Sequence, residues 1–373
     1  MRARDLGIVI GQLPTGPLNA FTDVAGIRVG HTTLVEGDGP LRVGHGPVRT
    51  GVTVIVPHDG PSHEALYAGA HTLNGNGEMT GLAWIAESGM LTTPIGLTNT
   101  HSVGMVHHAL IEAHRRAAGN GANHWSLPVV AETWDGYLND VDGQHVRAEH
   151  VFAALAVAAG GPVAEGNVGG GTGMKAFGFK AGIGTASRVV AGERDSYTVG
   201  VLVQANHGAR GRLRIDGVPV GEEVGVDVVP WLGRPVPPEG AGSVIGIVAT
   251  DAPLLPHQCR RLAQRASLGV AMMGAAGENS SGDLFLAFAT GNRGLTARED
   301  GVERPATASV TTLNDEHIDS LFYAVIEATE EAVVNALVAA ETMTGRDGIT
   351  AHAIPHDLLT AVMDRYGRLR GRS

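Results

Sequence analysis

Apolar positions along the chain follow two periods, and each predicts its own kind of element. Short, β-branched apolar runs read as strands at Val52 to Val56, Leu127 to Ala131, Phe177 to Val190, Thr198 to Gln204, Ser243 to Thr250 and Leu284 to Ala289. Spacings of three and four predict helices. Met105, Val106, Ala109, Leu110 and Ala113 share one face over Gly104 to Ala118, and an alanine-rich helix follows from Ala148 to Ala159. A third helix should run from about Pro253 to Met273 with Asp251 as its cap, and a long one carries Ile318, Leu321, Phe322, Val325, Ala332, Val333, Ala336 and Leu337 along its buried face. Between these lie polar or glycine-rich stretches: Asn74 to Gly77, Glu132 to Asp140, and Glu165 to Lys175. The polar, Gly/Pro-rich span from Ala209 to Gly242 predicts an exposed connection open to cleavage. Strands and helices interleave throughout, which predicts the α/β class in one large layered domain.

Composition narrows the picture. Glycine occurs 54 times, roughly twice ordinary usage, so tight turns and close backbone approaches should be frequent. A net charge of −11 with only 17% charged residues leaves no basic surface for nucleic acid. No apolar run is long enough to span a membrane, and the patch from Leu6 to Ile10 is too short for a signal-peptide core. A single cysteine, Cys259, forbids an internal disulfide and suits a reducing, cytoplasmic setting. His107, His108 and His114 lack a metal-ligand spacing, and the glycines after Glu165 lack the Gly-Lys-Ser/Thr ending of a phosphate loop, so no metal or cofactor is expected.

Candidate chemistry centres on Gly242-Ser243, where a flexible Pro/Gly run meets a β-branched strand. Serine needs a base, and no histidine–carboxylate pair lies nearby in sequence. A serine at a chain start can use its own α-amine, whose reference pKa of about 7.7–8.0 suits a general base near neutrality. Such an amine appears here only if the Gly242–Ser243 bond is cut, and glycine before the serine would let the backbone adopt the geometry an N-to-O acyl shift needs. The same residues also read as an ordinary loop ending.

Several motifs in order resemble the DmpA/BapA family of L-aminopeptidase/D-esterase/amidases and β-peptidyl aminopeptidases. They are Thr22-Asp23-Val24-Ala25-Gly26-Ile27-Arg28-Val29-Gly30-His31, Pro94-Ile95-Gly96-Leu97-Thr98-Asn99-Thr100, Val129-Val130-Ala131-Glu132-Thr133, the glycines after Glu165, Gly242-Ser243, and Thr342-Met343-Thr344-Gly345-Arg346-Asp347-Gly348. The resemblance covers nearly the whole chain. It implies a four-layer αββα sandwich, layered like the N-terminal nucleophile hydrolases, and a precursor that cuts itself into chains 1–242 and 243–373, which stay associated and assemble as a tetramer of αβ units. By the same resemblance Ser243 is the nucleophile, Asn206 donates to the oxyanion, Tyr137 is an active-site tyrosine, Ser281 and Asp283 form a hydroxyl/carboxylate pair beside the new amine, and Glu132 holds the amino group of a peptide, amide or ester substrate. The family's pair can carry Glu where this chain has Asp283, one methylene shorter. Two other readings are an acyltransferase of the ornithine acetyltransferase type, whose nucleophile is threonine rather than serine, and a non-catalytic binding protein on the same scaffold.

Overall fold

The computed structural model describes residues 1–60, 64–118, 125–192, 196–233, 240–296 and 305–370. Two sheets dominate. The first comprises β1 (Arg28–Glu36), β2 (Val48–Val56), β4 (Ile95–Asn99) and β5 (Val129–Thr133) in that order, antiparallel except for the parallel β4–β5 pair. The second runs β3 (Glu64–Gly75), β9 (Gly282–Ala289), β8 (Gly240–Thr250), β7 (Ser196–Gly208), β6 (Ile183–Ala191), with Leu295–Thr296 and Met90–Leu91 beside β3. Its central β8–β9 pair is parallel.

Three apolar clusters define the layering. Ile55, Ile95, Leu97, Leu202, Ile245, Ile247 and Leu286 pack between the sheets. Val54, Val130, Val106, Leu110, Val151 and Ala154 join the first sheet to helices α1 (Val103–Ala118) and α2 (Ala148–Ala156). Val244, Val248 and Phe285 meet Leu262, Ala263, Val325 and Val333 of helices α3 (Pro256–Met272) and α4 (Asp319–Val338). The order of layers is therefore helices, sheet, sheet, helices: the αββα sandwich. β8 and β9 read as unbroken apolar runs because their alternate residues serve two different cores. Glycine supplies the close approach between layers. A Cβ on Gly30 would fall 2.0 Å from the Ala154 carbonyl oxygen, and one on Gly184 would fall 1.9 Å from that of Ala332. Either contact would push a helix off its sheet.

Several elements differ from the expected ones. β1, ahead of β2, and β3 are strands that the sequence pattern did not predict. The strand expected over Phe177 to Val190 divides into a short hairpin (Lys175–Ala176 with Phe179–Lys180) and β6, which begins at Ile183. The third helix starts at Pro256, and Asp251 instead accepts the Thr198 amide at 2.7 Å. The span after Ala209 is not an exposed linker, because Leu213, Ile215, Val218, Val220 and Val224 bury against the helix-side core; residues 234–239 lie outside the described residues. No helix among the described residues is long and apolar enough to cross a membrane, and no group of His, Cys, Asp and Glu among them could hold a metal ion.

Candidate active site

Ser243 is not at the mouth of a strand. It is the fourth residue of β8, because Gly240 already pairs with Gly208. Register then sets its neighbours: Asn206 of β7 stands opposite on one side, Gly282 of β9 on the other. The Gly282 amide donates to Ser243 Oγ at 3.2 Å, so the hydroxyl is oriented from the β9 side. Gly242 takes φ of +152°, and a Cβ there would lie 1.7 Å from the Asn206 carbonyl oxygen. Steric contact with β7 therefore requires glycine at the expected scissile bond, in addition to any conformational demand.

Asn206, expected just past a strand, lies inside β7. Its side-chain amide is fixed at both ends: Oδ1 accepts the Lys175 amide at 3.0 Å, and Nδ2 donates to the Trp134 carbonyl at 3.1 Å. The second N–H on Nδ2 is left for another acceptor.

Ser281 and Asp283 flank Gly282, and Ser281 Oγ donates to Asp283 Oδ1 at 2.6 Å. The shorter carboxylate therefore still reaches its hydroxyl partner. Burial pushes Asp283 up to about 6, against the stabilising bonds from Ser281 and the Val244 amide, and the charge of Glu278 adds to the rise.

Glu132 is on β5 rather than in the loop that follows. Its carboxylate accepts the Thr100 hydroxyl and, at 3.0 Å, the Glu78 amide. Burial pushes its pKa up. Glu132 Oε1 and Gly282 Cα each lie 3.1 Å from the place a Cβ on Gly77 would occupy, so the two strand ends converge on one spot. Gln204 braces this convergence across the sandwich, donating to the Thr98 carbonyl at 2.9 Å and the Thr133 hydroxyl at 2.8 Å.

Tyr137 sits one layer out. Its ring meets Trp134 edge-on at 4.8 Å and Trp231 at 6.0 Å, and Lys175 Nζ lies 5.5 Å from its centroid. Among the described residues its hydroxyl makes no hydrogen bond, and its links to the cluster are the ring contacts with Trp134 and Lys175.

Sequence reasoning missed Lys175, a lysine among apolar residues, which burial pushes down to about 8. It missed the Gly282 amide altogether, since a backbone N–H leaves no mark in a sequence. His207, next to Asn206, is held down to about 3 by burial and by the charge of Lys175, which makes it a poor base near neutrality. His207 therefore does not supply a base for Ser243 near neutral pH.

Residues 19–351 match peptidase family S58. The chain belongs to peptidase family S58. This S58 chain is 49% identical over 377 residues to the β-peptidyl aminopeptidase BapA of Sphingosinicella microcystinivorans, an alignment covering 99% of this chain and 93% of the relative. Among solved structures, a β-aminopeptidase from Burkholderia sp. superposes with a TM-score of 0.89 at 53% identity, over 98% of this chain and 99% of that one. The L-aminopeptidase D-Ala-esterase/amidase of Ochrobactrum anthropi, described as a prototype serine aminopeptidase and a variant of the Ntn hydrolase fold, gives a TM-score of 0.87 at 44% identity over 99% of each chain. The αββα layering of this S58 peptidase is thus the expected one, and its activity is that of a serine peptide hydrolase.

Proposed function

We propose that this S58 peptidase is an aminopeptidase/amidase that matures by cutting itself between Gly242 and Ser243. The observation that carries the reading is the position of Ser243, held between Asn206 and Gly282 at the end where Glu132 also converges. In maturation, Ser243 Oγ attacks the Gly242 carbonyl carbon, the C–N bond breaks, and the hydroxyl proton passes to the departing nitrogen, which becomes the α-amine. Water then hydrolyses the ester, leaving Ser243 first in its chain. In turnover, that amine takes the Oγ proton as Oγ bonds the substrate carbonyl, then returns it to the leaving amine; water releases the acyl group by the same path. Asn206 Nδ2 is the donor for the oxyanion. Ser281 and Asp283 hold the new amine, and Tyr137 with Trp134 walls the pocket.

Glu132 confers the preference for a free amino terminus. A buried carboxylate facing an ammonium gains a charge-assisted hydrogen bond, whereas an acetylated terminus leaves it unpaired against an apolar group. The Sphingosinicella and Burkholderia relatives extend the substrates proposed to peptides that begin with a β-residue. Cleaved chains that remain together, homo-oligomers of αβ units, and a cytoplasmic setting complete the proposal.

The test pairs a denaturing mass spectrum with kinetics. Active protein should contain one chain ending at Gly242 and another beginning at Ser243, and Ser243→Ala should stay whole. Alanine and β-alanine anilides should react while their N-acetyl forms should not. Full activity from an intact chain would refute the amine-base mechanism, and equal rates for free and acetylated substrates would refute the role of Glu132.

A further inference from the structure

Lys180 is buried, and its side chain has no carboxylate partner among the described residues. Its Nζ donates to three carbonyl oxygens instead: Ala181 at 2.5 Å, Met174 at 2.8 Å and Gly171 at 3.4 Å. Three acceptors match the three N–H groups of an ammonium, whereas a neutral amine would turn its lone pair on one of them. Burial pushes the Lys180 pKa well below its ordinary value, and the three carbonyl acceptors are what favours the ammonium against that pull; an apolar side chain of similar length would avoid the cost. The location of these carbonyls indicates what the charge does.

The Met174 carbonyl belongs to the same peptide group as the Lys175 N–H, and that N–H donates to Asn206 Oδ1 at 3.0 Å. The connection runs from Lys180 Nζ through the Met174–Lys175 peptide to the Asn206 carboxamide. A cation on the peptide oxygen makes its N–H a stronger donor. A stronger donor on Oδ1 in turn makes Nδ2 a stronger donor, with about 10–30% gained per bond in such chains. The same contacts settle which way the carboxamide faces, because only Oδ1 can accept from Lys175.

We propose that Lys180 is a positioning residue for the reaction, acting through the Met174–Lys175 peptide to orient and polarise the Asn206 carboxamide beside Ser243. This rests on Asn206 being the oxyanion donor, and a double-mutant cycle separates the two claims. Wild type, Asn206→Ala, Lys180→Met and the double variant are each incubated until mass spectrometry shows the two chains, then assayed on a free-amine anilide. Asn206→Ala should lower kcat by about 10²–10³-fold. Lys180→Met should lower kcat roughly tenfold with KM within about twofold, and should change kcat by less than about twofold when Asn206 is already alanine.

A loss from Lys180→Met that is the same on both backgrounds would overturn the relay while leaving Asn206 as the donor. An unchanged kcat in Asn206→Ala would overturn the donor reading itself. As a readout independent of turnover, the Lys175 backbone amide proton in the uncleaved Ser243→Ala chain should move upfield when Lys180 is replaced. Should Lys180→Met fail to fold, Lys180→Gln, which keeps donors without the charge, goes through the same cycle. Loss of folded protein with both would assign the lysine to the fold alone and overturn the proposal.

Discussion

In the proposed mechanism, Asp283 is the carboxylate placed to tune the amine of Ser243. Burial already pushes it up to about 6, so it is mostly charged at neutral pH but near its limit. Once the Gly242–Ser243 bond is cut, this negative charge beside β8 favours the ammonium form of the new terminus and raises its pKa. In the proposed mechanism turnover needs the free amine, so the acid limb of kcat/KM should follow that pKa. Asp283→Asn removes the charge and should therefore move the limb to lower pH, by about half to one unit. A pH profile with the free-amine anilide reads this directly; a limb that stays put or moves upward would separate Asp283 from the amine. At this scale the sequence named side chains that the fold brings together: Ser243, Asn206 and Asp283 fall on neighbouring rungs of three adjacent strands, and Ser281 lies just before β9. What escaped sequence reasoning was carried by backbone amides, those of Gly282, Lys175 and Glu78, which any residue type but proline could supply.

Elements were legible where burial is one-sided or complete. α1 and α4 show a helical apolar stripe, and beyond Ser243 and Asp283 the strands β8 and β9 run apolar from Val244 to Ala249 and from Leu284 to Ala289. β1 and β3 were hidden because His31, Thr32, Thr33, His71 and Thr72 break the apolar pattern; Thr32, for example, spends its hydroxyl on the His150 carbonyl at 2.8 Å. A polar residue satisfied by a neighbouring element looks, in sequence, like a turn. The long helix α4 carries a related conflict in Glu330, which burial pushes up to about 7 while Oε1 accepts the Asp216 amide at 3.1 Å. A carboxyl whose folded pKa is raised stabilises fully below its unfolded value near 4.5 and loses that stability as pH rises through about 7. Glutamine resembles the protonated form and keeps the acceptor. Glu330→Gln should therefore leave the urea midpoint nearly unchanged at pH 5 and raise stability by about 1–2 kcal/mol at pH 8. A gain that is equal at both pH values would rule out titration of Glu330 as its source.

At the scale of the whole molecule, the proposed cut falls in an unusual place. β8 is an interior strand, paired along its length with β7 from before the scissile bond and with β9 from after it. Its side chains also enter both cores, Ile245 and Ile247 between the sheets and Val244 and Val248 beneath the helices. Parting the two chains would strip one edge of this ladder and open both cores, so they should elute as one species from a native sizing column and part only in denaturant. A native column that resolved them would contradict this. If the proposed cut occurs, the mature protein is a natural split protein whose halves were never separate. Complementation should then succeed when the fragments 1–242 and 243–373 are co-expressed and meet as they fold, and fail when they are purified apart and mixed, because neither half alone can complete the second sheet, whose strands come from both.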